Sequence, residues 1–189
     1  MWSAFCLSFG VIFVAELGDK SQLMAIAFAT RYPALPVLAG LTLSTAIVHV
    51  ASVALGAAVG TAIPTTPLTI AAAIAFAGFG VWTLRGDDLD EDEADRATRS
   101  TRHVVLTVAG AFLLAEFGDK TMLATVTLST TRNAFGIWLG STLGMIAADA
   151  LAIVIGRQLG TRLPERTVRI GAAILFFGFA VTLLIEALR

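Results

Sequence analysis

Glu16-Leu17-Gly18-Asp19-Lys20-Ser21 stands inside one long apolar stretch, and Glu116-Phe117-Gly118-Asp119-Lys120-Thr121 stands inside another, 100 residues later. Shifting the chain by that interval, without a gap, makes 25 of the positions between Met1 and Arg85 identical. Apolar composition inflates such a match, but it does not produce a shared Glu-x-Gly-Asp-Lys. Gly40, Gly56, Gly60, Thr61 and Pro64 also fall on Gly140, Gly156, Gly160, Thr161 and Pro164, and Gly78-Phe79 falls on Gly178-Phe179. The chain is an internal repeat.

Around the two motifs, six segments approach or exceed the roughly 20 apolar residues that cross a bilayer: 2–30, 35–61, 67–84, 103–131, 135–159 and 167–188. Only helices or closed barrels satisfy the backbone in lipid, and these runs lack the alternation of a barrel. The predicted fold is therefore an all-α membrane protein with six transmembrane helices. Each repeat holds three of them, an odd number, so the second copy enters from the opposite side and the repeats are inverted. Residues 1–85 make the first repeat, 86–102 an acidic linker, and 103–189 the second repeat.

Composition agrees. Of 189 residues, 57% are hydrophobic and 14% charged, where a soluble domain carries about 25% charged residues. A net charge of −1 and no recognition motif exclude nucleic acid as a partner. Cys6 is the one cysteine, which excludes an intrachain disulfide and a cysteine-based metal cluster. The first residues carry no basic n-region, so the first helix is expected to be retained. The linker segment Asp87-Asp88-Leu89-Asp90-Glu91-Asp92-Glu93-Ala94-Asp95 lacks the glycine that a calcium loop needs at its sixth place, and it reads as a solvated connection. Arg31, Arg85, Arg96, Arg99, Arg102, Arg157, Arg162, Arg166 and Arg169 fall on one side of the predicted topology, against Arg132 and Arg189 on the other. The positive-inside rule then places the linker in the cytoplasm and both termini outside, in what is expected to be a bacterial inner membrane.

A charge at the bilayer centre costs at least about 2.5 kcal/mol, so Glu16, Asp19, Glu116 and Asp119 at that depth require a function. Residues three apart share a helix face, which lets each Glu and Asp point into one space. Gly18 and Gly118 permit a local break that frees carbonyl oxygens, and Ser21 and Thr121 add hydroxyls. Four carboxylates with such oxygens suit a hard divalent cation. Acids clustered in this way hold protons when the metal is absent, and binding the ion expels them, the elementary event of an antiporter. Lys20 and Lys120 sit four residues after a Glu and could neutralise it, snorkel or gate. His49 and Asp149 occupy equivalent positions on the second and fifth helices. Asp149 is the stronger candidate for a proton relay or outer ligand, and His49 a proton shuttle or a packing hydrogen-bonder. The repeated glycines are expected to let helices approach closely.

Two copies of Glu-x-Gly-Asp-Lys-[Ser/Thr], each on the first helix of a three-helix repeat, resemble the calcium:proton antiporter-2 (GDT-type) family. The resemblance covers the chain apart from the linker. It implies proton-coupled movement of Mn²⁺ or Ca²⁺, with export of manganese from the cytoplasm in bacterial members, at Glu16, Asp19, Glu116 and Asp119. Many members carry Gln next in the motif; Gln22 matches this, and Met122 departs from it. Partners are then the cation, protons and the lipid bilayer, with no cofactor; a homodimer is left open. An enzyme would need a nucleophile with a base or a dedicated ligand set, which is absent from the sequence. The alternative is a six-helix exporter of a small organic cation such as an amino acid, its amine held by the acids.

Overall fold

The computed structural model describes residues 1–85, 104–159 and 165–188; the predicted acidic linker lies outside the described residues. Eight helices run through the described residues: α1 (Trp2–Glu16), α2 (Lys20–Arg31), α3 (Ala34–Ala62), α4 (Thr65–Arg85), α5 (Val104–Glu116), α6 (Lys120–Ser129), α7 (Ala134–Leu159) and α8 (Glu165–Ala187). Among them, α3 and α7 are each long and apolar enough to cross a membrane. The pair α1 and α2 meets that test jointly, across a bend of 72°. The first and fourth predicted segments are thus each divided in two.

The division follows from one residue in each motif. Gly18 has φ 77° and Gly118 φ 87°, and among the described residues no non-glycine has positive φ. An L-residue there would cost about 1–2 kcal/mol, so each glycine ends one helix where the chain must turn. The aspartate that follows is extended, Asp19 at φ −88°, ψ 167° and Asp119 at φ −72°, ψ 166°, and stands at the N-cap of the next helix. The other early boundaries have equally local causes. Tyr32 precedes a proline and takes φ −125°, ψ 156°, because Pro33 disfavours the helical region for the residue before it. At the repeat-equivalent place Asn133 accepts from the Gly136 N–H at 2.9 Å and caps α7.

The two halves pack by exchange. The helix before each break lies against the long helix of the other half, α1 on α7 and α5 on α3, while α4 pairs with α8 and α3 crosses α7. Close approach is possible because Gly40 on α3 presents no side chain to the Val105 carbonyl, 2.6 Å from where a Cβ would stand, and Gly140 on α7 meets the Phe5 carbonyl in the same way. The two contacts interconvert under the 100-residue shift. So do the aromatic contacts between α4 and α8: Phe76–Phe179 centroids are 5.8 Å apart and Phe79–Phe176 6.0 Å.

Polarity is turned inside out. Leu35, Ile74, Leu106, Phe117 and Ile174 are exposed, whereas Glu16, Asp19, His49, Glu116, Asp119, Lys120 and Asp149 are buried. Water would select the reverse distribution; a lipid solvent tolerates this one.

Candidate functional site

Each motif builds the same local structure. The helix before the break ends on a buried glutamate, the glycine turns the chain, and the next helix begins behind an aspartate. Ser21 donates its hydroxyl to Glu16 Oε1. In the second copy Thr121 Oγ1 lies 3.1 Å from Glu116 Oε2 and 3.3 Å from Asp119 Oδ2, while the Thr121 N–H caps onto Asp119 Oδ2. The serine and threonine of the motif therefore hold the carboxylates. The expected release of carbonyl oxygens is partial: Val14 O and Glu16 O already accept from the Leu17 and Asp19 N–H groups.

Lys120 on α6 donates to Asp19 Oδ1 in the other half, forming a buried ion pair. The lysine thus pairs across the repeat boundary, where its sequence spacing offered Glu116. Lys20, at the equivalent place in the first motif, is half-buried. The first break is half-buried at Leu17 and Gly18, and the second is exposed at Phe117 and Gly118.

The acids form one electrostatic neighbourhood. Glu116, Asp19, Asp149 and Lys120 all act on Glu16, and Asp119, Asp19 and Asp149 act on Glu116. Among the described residues, however, no three His, Cys, Asp or Glu side chains converge closely enough to hold one metal ion in this conformer. Several buried oxygens nevertheless find no hydrogen-bond partner among the described residues: Glu16 Oε2, Asp119 Oδ1 and both oxygens of Asp149. Buried acceptors are normally satisfied, and carboxylate oxygens of this kind suit a proton or a hard cation.

The supporting residues separate into two kinds. Gln22 uses both ends of its amide on backbone: Oε1 accepts from the Gly18 N–H at 2.8 Å, and Nε2 donates to Ala148 O at 2.8 Å. Met122 takes the first of these places with sulfur, 3.1 Å from the Gly118 nitrogen. The Gln-to-Met difference therefore falls on a structural contact at the break. His49 Nδ1 lies 3.3 Å from Thr142 Oγ1, across the α3–α7 crossing. Sequence reasoning missed the buried hydroxyls of α3 and α7, Ser44, Thr45, Ser52, Ser141 and Thr142, of which Thr45 and Thr142 reach across to Met145 and His49. The available signal was their spacing, since Thr45, His49 and Ser52 lie three to four apart on one face, as do Thr142, Met145 and Asp149.

The family described as "Divalent cation/proton antiporter GDT1" matches residues 4–91 and 104–189. The chain belongs to this family. It is similar to a GDT1-like protein of Synechocystis, 31% identical with 96% of each chain covered. A Vibrio cholerae protein named "Putative manganese exporter" is also 31% identical, over 95% of this chain and 89% of its own. GDT1-like protein 3 of Arabidopsis thaliana is 29% identical, over 96% of this chain and 70% of its own. No solved structure matches. GDT1 proteins are antiporters of divalent cations and protons, so this chain is an integral membrane transporter and not an enzyme.

Proposed function

We propose that this GDT1 protein exchanges Mn²⁺, or Ca²⁺, for protons and exports the cation from the cytoplasm, using Glu16, Asp19, Glu116 and Asp119 as the shared cation and proton site. The observation that carries the proposal is the pair of broken helices, each ending in a buried glutamate held by a hydroxyl five residues on. Half-helix ends facing an enclosed polar site are how repeat transporters hold ions. The donor set is oxygen throughout, which favours hard cations. The name of the Vibrio cholerae relative favours manganese.

A dipositive ion requires its carboxylates ionised, and its departure leaves buried charges that protons neutralise. Two protons per ion make the exchange electroneutral. The halves lie inverted in the bilayer as six spans, with the linker cytoplasmic and both termini outside, and rocking of one half on the other opens the site to each face in turn. Asp149 relays protons beside this site.

Proteoliposomes with an imposed pH gradient test this. Mn²⁺, Ca²⁺ and a cationic amino acid are offered separately, and uptake is followed with internal pH. Gradient-driven movement of Mn²⁺ or Ca²⁺ with opposite proton flux supports exchange. Movement of the amino acid alone would replace the proposal with an organic-cation exporter.

A further inference from the structure

Lys120 and Asp19 stand at the starts of two half-helices from opposite halves. Lys120 is the first residue of α6, Asp19 is the N-cap of α2, and Nζ of one meets Oδ1 of the other. Both are buried, at 3% exposure each. A buried ammonium needs a counter-charge, and removing its partner is strongly destabilising. The oxygen that satisfies it is one that the proposed site offers to a divalent cation, and two cations brought to the same carboxylate oxygen repel each other.

We infer that Lys120 is a tethered competitor of the transported ion: its ammonium occupies Asp19 when no divalent cation is bound and must leave for one to bind. The inference rests on the site proposed above. Arrival of the ion then breaks the ion pair that ties the start of α2 to the start of α6, so ion binding and release of the two halves become one event. Lys120 acts as a positioning residue, holding Asp19 ready and keeping its charge compensated between cycles. The arrangement also accounts for a lysine inside a cation site, which otherwise opposes binding to no purpose.

The test is the concentration dependence of Mn²⁺ flux in proteoliposomes at a fixed pH gradient, for wild type, K120Q and K120R. K120Q removes the competing charge, and its KM for Mn²⁺ is expected to fall roughly tenfold, the scale of one charge-assisted hydrogen bond. K120R supplies a fork that grips a carboxylate more firmly, so its KM is expected to rise. Opposite shifts separate competition from packing, because lost packing does not lower KM. A KM in K120Q equal to or above wild type overturns the inference and leaves the transport function standing. If K120Q does not accumulate, K120R decides: a raised KM supports the inference and an unchanged one overturns it. Wild type that moves neither Mn²⁺ nor Ca²⁺ overturns the proposed function and this inference together.

Discussion

Thr45 on α3 donates its hydroxyl to Sδ of Met145 on α7 at 3.5 Å, and the two residues are repeat equivalents, 100 positions apart. Phe76 and Phe176, also repeat equivalents, have ring centroids 6.0 Å apart between α4 and α8. His49 and Asp149, also repeat equivalents, lie one helical turn beyond Thr45 and Met145 on α3 and α7. Each half supplies one residue of each of these pairs.

Exchange packing makes equivalent glycines equally intolerant. At Gly40 a Cβ would stand 2.6 Å from the Val105 carbonyl, and Gly140 meets Phe5 as closely, whereas nothing lies within 4 Å at Gly10. G40A and G140A are each expected to lose about 1–3 kcal/mol by forcing backbones apart. G10A should be neutral or slightly stabilising, since alanine favours a helix interior. Thermal unfolding in detergent measures all three, and a G40A protein as stable as G10A would contradict the packing.

Gly118 tests the break rather than the packing. Its added Cβ would touch nothing within 4 Å, yet its φ is 87°. G118A is therefore expected to cost about 1–2 kcal/mol through backbone conformation alone, with a loss of transport as α5 and α6 are driven toward one continuous helix. Unfolding temperature and flux are measured together; an alanine without effect on either would mean that the break is not required.

Gln22 separates a structural amide from a ligand. Q22M leaves sulfur to face the Gly18 N–H, as Met122 faces Gly118, and removes the bond to Ala148 O. A stability loss of about 1 kcal/mol is expected, with the KM for cation close to wild type. A large rise in KM without loss of stability would return Gln22 to the coordination shell.

Much of this was legible from sequence because the repeat carries its own control. Two copies of Glu-x-Gly-Asp-Lys located the buried acids, and the aligned Gly40 and Gly140 anticipated close helix approach. The division of the first and fourth segments was visible only as a permissive glycine, because hydropathy is blind to φ. The partner of Lys120 was not legible: spacing favours Glu116 in the same motif, and only the interlocking of the halves brings Asp19 within reach. The buried hydroxyls of α3 and α7 were hidden for a related reason. Serine and threonine are common in apolar helices, and their faces matter only once the crossing is known.

Proton-coupled Mn²⁺ flux into proteoliposomes, compared between wild type, E16Q and E116Q, bears most directly on the shared site. Each substitution keeps the size of the side chain and its contact with Ser21 or Thr121 while removing one charge. Loss of at least about 100-fold in exchange is expected from either one alone, on the scale of losing a directly bound charge, with both proteins still folded and inserted. Retention of wild-type flux by either variant would contradict a site built from both halves.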